Sequence, residues 1–153
     1  MKAKNIKAAL QRVLPYITVD RCAALLEELA DETMTVVKEP STGLMMMNIQ
    51  EGTGAQFHLG EALITTAEVA CDDRLTQGSI MGEEPEKALL LAVAEMVILR
   101  GCQDIIATIC KAVAEWEIIA DEAIHKEASL AASTRVSFES MTVENTDFGT
   151  IGQ

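Results

Sequence analysis

The order of periodicities along the chain predicts an α+β fold: an antiparallel sheet of about four strands packed with N-terminal helices and two long C-terminal helices. Two observations carry this. Helical spacing of apolar residues occupies the first thirty residues and the stretch from about Glu83 to about Ala131, whereas residues 35–81 alternate with a period of two. The composition agrees with a single folded domain. In 153 residues, 49% are hydrophobic and 24% charged, enough to bury a sizeable core. Only 3% are aromatic, so that core has to be built from Leu, Ile, Val, Ala and the eight Met.

Ile6 to Leu14 forms a short predicted helix, closed by Pro15. Thr18 opens a second that runs to about Ala30. In it Cys22, Leu25, Leu26 and Leu29 share one face, while Arg21, Glu27, Glu28 and Asp31 face water. The period then changes. Thr35 to Lys38 reads as a strand, Pro40-Ser41-Thr42-Gly43 as its turn, and Leu44 to Ile49 as the returning strand. Gly52 to Glu61 reads as an elaborate glycine-containing loop. Glu61 to Cys71 alternates again, and Asp72-Asp73-Arg74 turns the chain into Leu75 to Met81 as a second hairpin.

Glu83-Glu84-Pro85-Glu86 has the acidic first turn and early proline of a helix start. Ala88 to Leu99 is apolar nearly all round, so neighbours on several sides, or another subunit, must cover it. Gly101 ends it. A helix from about Gln103 to about Ala131 carries a largely apolar stripe through Ile105, Ile109, Ala112, Trp116, Ile119, Ala123 and Lys126. Its opposite face is acidic. Thr134 to Val143 alternates well enough for a last strand or arm. One domain is therefore expected over residues 1–143, with a polar, frayed tail over 144–153.

Charge limits the function classes. The net charge of −12 repels nucleic acid, anionic lipid and polyphosphates, and the twelve Lys and Arg form no cluster. The four cysteines, Cys22, Cys71, Cys102 and Cys110, have neither metal-finger nor C-x-x-C spacing and read as free thiols in apolar surroundings. With His58 and His125 as the only histidines, no metal site is expected. The N-terminal residues lack the apolar core of a signal peptide, and no apolar run approaches a membrane span, so a cytoplasmic protein is expected.

Chemistry is sparse. Gly52, Gly54 and Gly60 allow positive φ and close backbone approach, and loop N–H groups can converge on an anion. The spacing is neither G-x-G-x-x-G nor a P-loop. His58 has Glu61 as its local carboxylate, and Arg135 is the one basic residue that stands out. No nucleophile–base pattern can be placed, so no catalytic residue is assigned. Met45-Met46-Met47 is soft apolar filling whose side chains alternate between faces, to be buried on both sides or turned to a partner.

In context the glycine loop resembles a known family. Thr42-Gly43-Leu44 is followed by Gly52-Thr53-Gly54-x-x-Phe57-x-x-Gly60-Glu61-x-x-x-Thr65. Gly78-x-x-x-Gly82 and Thr134-Arg135-Val136-x-Phe138-x-x-Met141 follow in order. This set, spread over Met34 to Met141, resembles the PhnG family of the bacterial carbon–phosphorus lyase system. The resemblance implies an accessory subunit working with PhnI-, PhnH- and PhnJ-like subunits and a PhnL-like ATPase-family protein. It implies a reaction in which a phosphonate displaces adenine from ATP, giving a ribose 1-phosphonate 5-triphosphate. ATP would then be a substrate of the complex, with no cofactor held by this chain alone and nucleosidase chemistry on the PhnI-like subunit. The residues so implied in substrate or partner binding are Gly52, Thr53, Gly54, Phe57, Gly60, Glu61, Thr65 and Arg135.

The chain departs from that pattern at three places where the family usually carries arginine. Here they hold Ile49 or Gln50, Thr66 and Glu83. A charge-assisted hydrogen bond is worth about 1.5–3 kcal/mol, so these losses weaken the grip on a polyanion, and Glu83 repels it. A structural or regulatory relative without anion chemistry is the alternative reading.

Overall fold

Pro15 cannot continue a helix, and in the computed structural model the chain breaks there. The structure describes residues 3–50, 52, 54 and 56–135. Helix α1 (Ala3–Val13) gives way to a 3-10 turn (Leu14–Tyr16) and then to α2 (Val19–Leu29). Thr18 takes the position before α2 with extended backbone, though its side chain makes no capping bond. Ile6, Leu10 and Val13 of α1 and Cys22, Leu25 and Leu29 of α2 are buried, as their helical spacing demands.

Among the described residues three strands follow, not four: β1 (Thr35–Gln50), β2 (Gln56–Cys71) and β3 (Arg74–Met81), antiparallel in the order β1-β2-β3. The expected turn at Pro40–Gly43 does not form. Strand β1 passes straight through it, shifting register against β2 between Val36 and Lys38 and again between Lys38 and Ser41. The second irregularity accommodates Pro40, which has no N–H to give to a ladder and here lies on an edge strand. The Asp72-Asp73 turn does form, with Asp72 in the left-handed region at φ 53° and Cys71 paired to Arg74. The expected strand or arm at Thr134–Val143, and the tail after it, fall outside the described residues from Val136 onward.

Helix α3 (Pro85–Arg100) is the centre of the molecule. It packs on β2, β3 and β1 and is covered by α2, α1 and α4 (Gln103–Ser133). Most of its apolar surface is thus covered within the chain, Leu99 excepted. Ala88, Leu90, Leu91, Ala92, Val93, Ala94, Met96 and Val97 are all buried. The approach to the sheet is close at Gly78 on β3. A Cβ there would lie 1.9 Å from the Ala88 carbonyl oxygen and 2.7 Å from the Ala92 nitrogen. Gly101 ends α3 at φ 75°, its N–H returning to Val97 O at 3.1 Å.

Of the two C-terminal helices, α3 has 16 residues and α4 has 31. Only the first part of α4 is held by the body, through Ile109, Val113, Trp116 and Ala120. Lys7 pairs with Glu95 at 2.6 Å, and Arg12 with Glu117 at 3.2 Å, tying α1 to α3 and α4. Asp31 ties the connection between α2 and β1 to α3. It accepts from the Thr33 N–H at 2.7 Å and from the Thr33 hydroxyl, and it pairs with Arg100. These contacts hold its carboxyl below the usual range, the Thr33 hydroxyl contributing most. Cys22 lies deep enough that burial pushes its thiol up to about 11, against the opposing pull of Lys87. No helix among the described residues is long and apolar enough to cross a membrane.

Candidate functional site

The glycine-containing stretch is mostly strand. β2 begins at Gln56 and takes in Phe57, His58, Leu59, Gly60 and Glu61, so the connection between β1 and β2 is confined to residues 51–55. Gly54 sits there at φ 89°. Gly60 is at φ 140°, where the register slips between Met47 and Asn48, a bulge a glycine accommodates. The result is a ribbon of two strands. β3 ends at Met81 opposite Ile64, so the chain from Leu44 to Leu63 continues beyond the three-stranded sheet.

In this free part of the ribbon a run of large apolar side chains meets solvent, as single ones do elsewhere, among them Ile118 and Leu130 on α4. Leu44 is 66% exposed, Leu59 60% and Phe57 55%, and Met45, Met46, Met47, Ile49 and Leu63 are exposed as well. Register sets the faces. Thr65, Ala67, Val69 and Cys71 of β2 point to α3 and are buried. Continuing the alternation, Leu63 and its partner Leu44 share that face, as do Glu61 and its partner Met46. Met45 with Ala62, and Met47 with Gly60, stand on the other. Nearer the tip Ile49 lies opposite Phe57, and Asn48 Oδ1 is 2.5 Å from His58 Nδ1. That pairing makes His58 an exposed cross-strand partner of an amide. Among the described residues no group of His, Cys, Asp or Glu could hold a metal ion.

Thr65 belongs to a different environment. It is fully buried at the base of the ribbon. Its hydroxyl donates to Gly82 O at 2.6 Å and accepts from the Glu84 N–H at 3.1 Å. That commits its single proton, so the Thr42 hydroxyl, 3.0 Å away, must be the donor to it. The Gly82 N–H in turn bonds Leu63 O at 2.8 Å. Thr42, Thr65 and Gly82 therefore pin the start of α3 to the sheet, and Thr65 has no hydrogen-bonding capacity left for a ligand. Gly78 and Gly82 serve packing and the turn into α3.

The residues that the sequence groups as a site do not converge. Gly52 and Gly54 are at the tip, and Thr53 lies outside the described residues. Phe57, Gly60 and Glu61 line the ribbon and Thr65 closes its base. Arg135 stands past the end of α4, exposed, its N–H on Ala132 O at 3.3 Å. Helix α4 packs on α1, α2, α3 and the 3-10 turn. Of the positions where arginine is missing, Ile49 and Gln50 lie near the tip and Glu83 is exposed just before α3. Thr66 lies on the outer sheet face, in a shallow groove with Ser41, Gln77 and Ser79, and Lys38 Nζ is 3.4 Å from its hydroxyl.

Sequence reasoning did not pick out the extent of the ribbon. Its signal was present in Leu44 to Met47 and in Phe57, Leu59 and Leu63, apolar residues at both odd and even positions of paired strands. Fold and site together define an α+β protein that carries a long apolar hairpin outside its core. The chain matches the family described as phosphonate metabolism protein PhnG over residues 7–143, and it belongs to that family. No curated protein matches it.

Proposed function

We propose that this chain is an accessory subunit of a cytoplasmic phosphonate-utilising assembly, not self-sufficient, that engages PhnI-, PhnH- and PhnJ-like subunits and a PhnL-like protein. The observation that carries this reading is the apolar hairpin that stands exposed, among the described residues, beside a body with a buried core of its own. A hydrophobic surface of this kind on a folded domain marks a protein contact. In the assembly a phosphonate oxygen attacks C1′ of ATP as adenine departs. The product is a ribose 1-phosphonate 5-triphosphate, and the nucleosidase chemistry belongs to the PhnI-like subunit. The transition state is cationic at the sugar, so the task is positioning and electrostatics. With net charge −12, this chain's contribution is to complete and orient the assembly, leaving the triphosphate to cations of its partners.

Co-expression with the PhnI-like protein of the same source tests the reading. Co-elution on gel filtration is expected, and clean separation would count heavily against it. The exposed Glu83 at the start of α3 favours a second reading, a structural or regulatory relative without anion contact. Restored growth on phosphonate in a host lacking its own PhnG would exclude that one.

A further inference from the structure

A hairpin that packs by one face keeps polar residues on the other, since alternation separates the two sets. The free ribbon breaks this rule. Leu44, Met46 and Leu63 stand on the α3 side, and Met45 and Met47 on the opposite side, all exposed. Covering one face would leave the other wet and apolar. Among the described residues both edges are open too. There β1 is an edge strand throughout, and β2 loses its β3 neighbour beyond Ile64. Natural proteins blunt such edges with charge. Between Leu44 and Gln50 and between Gln56 and Leu63 the only carboxylate is Glu61, and there is no Lys or Arg.

The base of the ribbon is acidic. Glu83 follows Gly82, whose N–H bonds Leu63 O, and it is exposed. Lys87 is buried and paired with Glu84 at 3.0 Å, so its charge is spent inside the body. A second copy of this chain is a poor occupant. A twofold contact through one ribbon face buries that same face in both copies and leaves the other bare. Each copy would also bring a net charge of −12.

We infer that the ribbon is an insertion arm. It enters an apolar cleft of a different protein subunit, whose two walls cover both faces. The mouth of that cleft carries Lys or Arg opposite Glu61 and Glu83. The free stretch from Leu44 to Gln50 spans roughly 20 Å at about 3.4 Å per residue, which sets the depth of the cleft. Main-chain pairing along the open β1 edge adds to the side-chain contacts. This rests on reading the chain as a subunit and specifies how it docks.

The test is gel filtration with light scattering of the chain co-expressed with the other phosphonate-metabolism subunits of its source. Wild type is compared with Met45→Glu, Met46→Glu and the α4 control Ile118→Glu. Hydrogen exchange over residues 44–50 and 56–63 is measured with and without the partner, and thermal melts verify folding. Each ribbon variant is expected to weaken association by about a hundred-fold or more, because a buried unpaired charge is costly, while the control binds normally. Exchange should slow along both strands, and Glu61→Lys should weaken binding further than Glu61→Gln. Loss with only one of the two Met variants means one-sided docking and overturns the inference. A complex indifferent to both also overturns it, leaving the subunit reading intact. A homodimer abolished by either variant, with no mixed complex, assigns the ribbon to a second copy and overturns it. If the wild-type chain joins no partner, the subunit reading itself fails and the inference falls with it.

Discussion

The two halves of the β1–β2 ribbon are built from the same strands and have opposite fates. From Thr65 to Cys71, β2 alternates buried and half-buried residues, because β3 lies beside it and α3 lies across one face. From Gln56 to Glu61 every residue is exposed, because both neighbours have ended. Counted over β1 and β2 together, the apolar content does not fall across the boundary. What changes is the supply of partners within the chain. Hydrophobicity of a strand therefore reports that it will be covered, and the third strand and the helix decide whether this chain or another covers it.

The sharpest way to break the body half is at Gly78. Its added Cβ would meet two backbone atoms of α3, which cannot move aside as a side chain can. Gly78→Ala is expected to cost about 3 kcal/mol or to prevent folding, read as a fall in the urea midpoint or loss of the cooperative transition. The same change at Gly43, where a Cβ meets nothing within 4 Å, should leave the midpoint close to wild type.

Next in size is Thr65. Thr65→Val keeps the shape and removes the hydroxyl, leaving the Gly82 carbonyl and the Glu84 N–H without that partner. A loss of about 1–3 kcal/mol is expected, the usual cost of stranding buried polar groups. Thr42→Val removes only the donor to Thr65 and should cost less. If Thr65 instead bound a ligand in the isolated chain, Thr65→Val would lower affinity with little change in stability. Chemical denaturation of the two variants separates these outcomes.

The helices were readable from sequence because their signals are local. Pro15 and Gly101 stop helices by backbone geometry, and Leu25, Leu29, Ile109 and Trp116 fall at helical spacing on faces that are buried. β1 was not readable as one strand. Pro40-Ser41-Thr42-Gly43 has turn composition, and pairing along the whole of β2 overrode it by placing the proline in a register irregularity on an edge. The glycine stretch misled in the same way, since Gly60 relieves a bulge within a strand. Thr65 falls inside the family motif, yet its role as the bolt between sheet and α3 depends on Gly82 and Glu84, about twenty residues away. Such contacts leave no local trace.

A smaller effect lies at the junction of α2, β1 and α3. The Asp31 carboxyl is held below its ordinary value by the Thr33 hydroxyl first, then by the Thr33 N–H and Arg100. A carboxyl lowered on folding contributes stability above its unfolded pKa, near 3.8, and loses that contribution as pH falls through the folded value. Wild type should therefore exceed Asp31→Asn in stability at neutral pH, and the gap should narrow as pH drops below about 4. The group is largely solvated, so the effect is modest. Urea midpoints of both proteins across that range check it. A gap independent of pH would place the effect in packing instead.

The smallest expected effect on the isolated chain is in the free half of the ribbon, and its smallness is the point. Phe57 and Leu59 make little buried contact in this chain, so Phe57→Ser and Leu59→Ser should change the urea midpoint by no more than about 0.5 kcal/mol equivalent. Losing apolar surface there should also raise solubility. Were either substitution to cost 2 kcal/mol or more, the ribbon would have to be packed against the body in solution, and the contrast between the two halves would disappear. A neutral result leaves Phe57 and Leu59 without a role in holding this fold together, which is what residues kept for another protein's surface should show.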